Sequence, residues 1–128
     1  MNKEQYNNLS KEILDASIRV HKEMGPGLLE SVYELCLTKE FNLRKIRTEQ
    51  QVFLPLYYRG HELNKDFRID LLIENEIILE VKAVEVLLPV HEAQIISYLK
   101  LADKRLGFLI NFNVPLLKNG FRRFVNDF

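Results

Sequence analysis

This chain is short of cysteine, of net charge and of long apolar runs, and each shortage excludes something. The single cysteine, Cys36, rules out an internal disulfide and any Cys-based zinc cluster. It falls within an apolar helical pattern and is expected as a buried thiol rather than a nucleophile. Lys and Arg total 18, as do Asp and Glu, so the net charge is zero. That argues against a long-range basic field for capturing nucleic acid. Local basic clusters remain at Arg44, Lys45 and Arg47, at Lys100, Lys104 and Arg105, and at Lys118, Arg122 and Arg123. Each is by default a solvated face. No apolar run approaches the length of a bilayer span. The start, MNKEQYNNLSKE, lacks the apolar core of a signal peptide, so a cytoplasmic location is expected. Repeats, low-complexity tracts, linkers, a phosphate-cradling Gly-rich loop and a Cys/His zinc pattern are all missing. With 128 residues, 47% apolar and 28% charged, the chain suits one globular domain spanning residues 1–128.

The most informative stretch that is present is RIDLLIENEIILEVKAV, Arg68 to Val84. Apolar residues alternate on both arms, which predicts a β-hairpin. A three-residue loop at Glu74-Asn75-Glu76 sets Ile73 against Ile77, Leu71 against Leu79, Ile69 against Val81 and Phe67 against Ala83. These form an apolar wall. Strand side chains alternate between faces, so the other wall pairs Leu72 with Ile78, Asp70 with Glu80 and Arg68 with Lys82. A slip of one residue would bury the charges, so the register is well specified. Two carboxylates directly across a strand pair repel. A divalent cation between them is one resolution, since Mg²⁺ favours carboxylates and retained waters. Neutralisation by Arg68 and Lys82 is the plainer one, and the motif alone leaves both open.

The rest of the chain frames that hairpin. Leu9, Ile13, Ala16, Val20 and Met24 predict a helix over about 10–24, capped by Asn8 or Ser10 and broken at Gly25-Pro26-Gly27. His21, near its end, is expected to be structural. A second helix is predicted over 28–43, with Glu30 in its first turn, where the helix dipole favours an anion. Tyr33 shares a face with Glu30 and is expected as a core or boundary aromatic with its hydroxyl at the surface. QVFLPLYY, 51–58, reads as a strand, placed at an edge or bulged because Pro55 cannot donate to a ladder. Arg59-Gly60-His61 is expected as a turn. Residues 87–103 form a third helix opened by Pro89, with His91, Gln94 and Tyr98 at helical spacing. RLGFLINF, 105–112, reads as a strand covered on both faces. A short element over 121–125 closes an order α, α, β, β, β, α, β plus one. That is an α/β (α+β) chain with a mixed central sheet flanked by helices.

Gly27-Leu28-Leu29-Glu30-Ser31-Val32-Tyr33 resembles the pattern that names the GxxExxY protein family. Asp70-Leu71-Leu72, Glu80-Val81-Lys82-Ala83, Ala93-Gln94 with Ser97-Tyr98-Leu99, and Leu109-Ile110-Asn111-Phe112 are similar to that family's blocks, in order, over about residues 8–125. The family is in turn similar to the PD-(D/E)xK nuclease superfamily, with its restriction-endonuclease-like fold; here Ile69 stands where the superfamily's name has Pro. The resemblance implies a metal-dependent nuclease acting on DNA or RNA. It implies that Asp70 and Glu80 bind Mg²⁺ or Mn²⁺, that Lys82 positions the attacking water, that Glu30 assists the metal, and that Gln94 is the helical glutamine after the catalytic strand. The competing expectation is a non-catalytic module on the same fold, binding nucleic acid or assembling with a protein partner. A homodimer paired through the VFLPLYY strand is a further expectation.

Overall fold

The computed structural model describes residues 1–128. Three helices, α1 (Lys3–Met24), α2 (Glu30–Leu43) and α3 (Pro89–Ala102), surround a five-stranded sheet. Its strands are β1 (Thr48–Tyr58), β2 (His61–Ile73), β3 (Ile77–Lys82), β4 (Leu106–Asn111) and β5 (Phe121–Val125), which follows a 3₁₀ turn at Leu117–Gly120. Spatial order follows chain order. Only β3 and β4 are parallel, joined through α3. The other neighbours are antiparallel, so the sheet is mixed as expected.

Two apolar layers cover the sheet. On one face Tyr6, Ile13 and Val20 of α1 and Tyr33, Leu37 and Phe41 of α2 pack on Leu71, Ile73, Ile77, Leu79, Val81 and Ile110. On the other, Ile95, Tyr98 and Leu99 of α3 pack on Leu72, Ile78 and Leu109. All six β4 residues are buried, as a strand covered on both faces requires. No helix is long and apolar enough to cross a membrane.

Several boundaries differ from expectation. The first helix begins at Lys3, seven residues early. Asn2 Oδ1 accepts from the Gln5 N–H at 2.8 Å while the Gln5 side chain accepts from the Asn2 N–H, a capping box. Neither Asn8 nor Ser10 caps the helix; the Ser10 hydroxyl bonds back to the Tyr6 carbonyl. The first strand begins at Thr48. His61 is not in a turn but opens β2, opposite Tyr58. The turn is Arg59-Gly60 alone, both with positive φ (50° and 80°), as a two-residue hairpin loop needs. Pro55 does sit in the edge strand, and the β1–β2 register shifts between Leu54 and Leu56. Cys36 is half-buried against the core rather than fully enclosed.

The central hairpin holds its predicted register for three pairs, Ile73–Ile77, Leu72–Ile78 and Leu71–Leu79, and there its ladder ends. The remaining predicted pairs are not made. Ile69 and Phe67 turn to the α3 side, whereas Val81 and Ala83 stay with α1 and α2. The wall is therefore broken at Asp70. The physical reason lies in the carboxylates there, which take over the backbone bonds of the ladder.

Candidate active site

Asp70 sits where two ladders stop. On its β1 side, Gln50 pairs with Leu71 and Val52 with Ile69, but Gln51 and Asp70 between them do not pair. On its β3 side the ladder also ends at Leu71 and does not resume. The side chains fill the gap. The Asp70 N–H donates to Glu80 Oε2 at 2.9 Å, and the Val81 N–H donates to Asp70 Oδ2 at 2.9 Å. Each carboxylate thus replaces a carbonyl of the opposite strand. This locks both acids to the backbone and splays the strands around them. Asp70 Oδ1 and Glu80 Oε1 receive no backbone donor.

Burial makes this pair costly. Glu80 is only 3% exposed. Desolvation, and then the Asp70 charge, push its carboxyl up to about 8 from an ordinary 4.5. Desolvation also raises Asp70, against the Val81 N–H bond, Lys82 and Gln51, which lower it. The plainer neutralisation by two cations is half removed by the structure. Arg68 turns away, paired to Asp66 at 2.9 Å and laid over the Phe53 ring. Lys82 is half-buried at the end of β3 and joins none of the ion pairs. Its charge nevertheless lowers the pKa of Asp70, Glu80 and Glu34 alike.

The surrounding elements supply the other predicted residues. Glu30 is the first residue of α2, and its carboxylate accepts from the Ala83 N–H at 3.3 Å, just past Lys82. The GxxExxY spacing has a structural logic here. Gly27 has φ 95°, which suits glycine. Tyr33 is fully buried and stacked on Phe112 at 4.4 Å. Its hydroxyl is not at the surface as expected: it donates to the Gly25 carbonyl at 2.6 Å and accepts from the Leu28 N–H at 3.1 Å. Tyr33 therefore pins the turn that delivers Glu30. Gln94 does not reach the carboxylates directly. Its amide donates to the Tyr98 hydroxyl at 3.2 Å, and Tyr98 is raised by burial and by the Glu80 charge. His91 accepts from the Leu88 N–H and serves its own helix start. His21 is structural, bonded through Nε2 to the Val114 carbonyl at 2.8 Å.

Three residues not singled out for the site belong to it. Glu34, one turn beyond Glu30 on α2, is raised by desolvation and by Asp70. Its i, i+4 spacing from Glu30 was the available signal. Gln51 donates to Glu34 Oε1 at 2.7 Å and to Asp70 Oδ1 at 3.4 Å. Asn111, 2% exposed beside Lys82 in the parallel ladder, donates to the Val84 carbonyl and accepts from the Val84 N–H, which fixes the exit of β3.

No three acid, His or Cys side chains converge into a ready-made metal cage. Mg²⁺ does not need one, since it is commonly held by one or two carboxylates with waters and substrate oxygens. Two oriented carboxylates, Glu80 buried and Asp70 half-buried, with an oxygen each free of backbone donors, fit such an ion. Of the basic clusters, Arg44 is spent on Glu12, Asp15 and Glu40, and Arg122 on Glu92.

The family profile of the PD-(D/E)XK nuclease superfamily matches residues 7–124, and the chain belongs to that superfamily. Its nucleases generally use divalent metal ions and act on nucleic acid. A search of curated proteins found no match, and neither did a search of solved structures.

Proposed function

We propose that this protein is a metal-dependent nuclease that hydrolyses phosphodiester bonds of DNA, with RNA as the alternative substrate, and that it belongs to the GxxExxY group. The observation that carries the reading is the reciprocal bonding of Asp70 and Glu80 across the splayed strands. It holds a buried and a half-buried carboxylate in place with only Lys82 to offset them. Asp70 and Glu80 are the metal ligands, with Glu30 in support and Mg²⁺ or Mn²⁺ as the ion. A divalent ion bound there supplies positive charge at the scissile phosphate and acidifies the attacking water. Lys82 holds that water and stabilises charge as the bond breaks. Gln94 acts through Tyr98, fixing its hydroxyl beside Glu80. A cytoplasmic location and pairing of two copies through the edge strand β1 belong to the same proposal. A single unpaired cysteine suits a reducing compartment, and β1 exposes Phe53, Tyr57 and Tyr58.

The test is cleavage of single- and double-stranded DNA and of RNA with Mg²⁺ or Mn²⁺. Wild type should cut at least one substrate, and EDTA or Asp70→Ala should abolish cutting. Activity that survives Asp70→Ala belongs to a contaminant. Silence on every substrate favours a non-catalytic nucleic-acid-binding or assembly module.

A further inference from the structure

Gln51 stands out on two independent grounds. The first is its backbone. Seven non-glycine residues have positive φ. Six lie in turns, helix ends or the chain terminus; Gln51, at φ 49°, is the only one inside a strand. Such a conformation is costly for a residue with a Cβ and persists only where surrounding structure enforces it. The second is its side chain. The same amide nitrogen donates to Glu34 Oε1 at 2.7 Å and reaches Asp70 Oδ1 at 3.4 Å. Asp70 Oδ1 is the oxygen that the Val81 bond leaves available. Gln51 also stands opposite Asp70 at the break in the β1–β2 ladder.

These facts join in one account. A regular extended residue at 51 would continue the ladder alternation. The left-handed turn interrupts it at the position facing Asp70, where the amide lies between acids from two different elements. Anchored strongly on Glu34, it approaches Asp70 from outside. We infer that Gln51 is a positioning residue, which orients Asp70 Oδ1 for the metal and keeps the Glu34 carboxylate engaged elsewhere. Ligating carboxylates are commonly held this way by an outer hydrogen-bond partner. The inference rests on the metal-dependent reading and adds to it an outer partner drawn from β1.

The test compares Gln51→Leu and Gln51→Gly with wild type in two measurements, calorimetric Mn²⁺ titration and thermal melting of the metal-free protein. Leu keeps bulk and removes the donor; Gly removes the donor and relieves the positive φ. Both should bind Mn²⁺ about tenfold more weakly, the low end of what losing an outer partner costs at a site open to solvent. Gln51→Gly should melt no lower than wild type, because glycine adopts that backbone freely. A merely structural Gln51 gives the opposite pattern, in which Gly melts lower and Mn²⁺ affinity is unchanged. Should Gln51→Leu fail to fold, the Gly variant decides. Wild type that takes up no Mn²⁺ overturns the underlying metal reading as well. Wild type that binds no better than the variants overturns the role of Gln51 alone.

Discussion

Replacing Glu80 by Gln should change how stability depends on pH, and by an amount the structure sets. In the folded protein the Glu80 carboxyl is raised from 4.5 to about 8. A group whose folded value lies above its unfolded value contributes stability that is complete below the unfolded value and lost as pH rises through the folded one. Metal-free wild type should therefore weaken steadily from about pH 4.5 to about pH 8. At about 1.36 kcal/mol per pH unit, the whole interval corresponds to a loss of roughly 5 kcal/mol. Because Asp70 titrates with it, the measured loss belongs to the pair, and we expect roughly 2–5 kcal/mol. That is a large share of an ordinary domain's stability. Glu80→Gln keeps an oxygen that accepts from the Asp70 N–H but carries no charge, so most of this loss should vanish. The assay is urea unfolding in EDTA at pH 5 and at pH 9. Mn²⁺ at a hundred times its dissociation constant should restore about 2.7 kcal/mol to wild type at high pH and little to the variant. Parallel curves for the two proteins between pH 5 and pH 9 would refute the argument that a buried charge only partly offset by Lys82 sits at this position.

Two further outcomes follow. Lys82→Ala should fold and keep its metal yet cleave about 10²–10³-fold more slowly, with incomplete rescue by Lys82→Arg because a planar guanidinium does not copy a compact ammonium; single-turnover cleavage beside a Mn²⁺ titration checks both halves. Tyr33→Phe removes the hydroxyl bonds to Gly25 and Leu28 and should lower unfolding stability by about 1–3 kcal/mol, measured by urea denaturation.

The parts of the fold visible in the sequence are those where one periodicity dominates. Apolar alternation from Leu71 to Leu79 fixes three hairpin pairs; Asp70 and Glu80 also come together, but through bonds to backbone N–H groups rather than as the ladder pair expected. What alternation cannot foresee is that a carboxylate competes with carbonyls for the opposite strand's N–H groups. That competition ends the ladder at Asp70 and sends Ile69 to the other face. The early start of α1 was hidden because its first turns are polar, and only the Asn2–Gln5 box marks it. The Tyr33 ring is in the core, one of the two places expected, but its hydroxyl is not at the surface, because its partners, Gly25 and Leu28, offer backbone atoms that no side-chain pattern reveals. Gln51 reaches Glu34 and Asp70 across 17 and 19 residues, from a strand whose own pattern says nothing of them.

The central claim is that Asp70 and Glu80 hold a catalytic metal. A crystal grown or soaked with Mn²⁺ and measured for anomalous scattering tests it most directly. The account predicts a peak within bonding distance of both carboxylates, at about 2.0–2.2 Å for a small hard cation of this kind, and its loss in Asp70→Ala. A structure with Mn²⁺ bound elsewhere, or with none bound while Asp70 and Glu80 still clasp the opposite backbone, would contradict it.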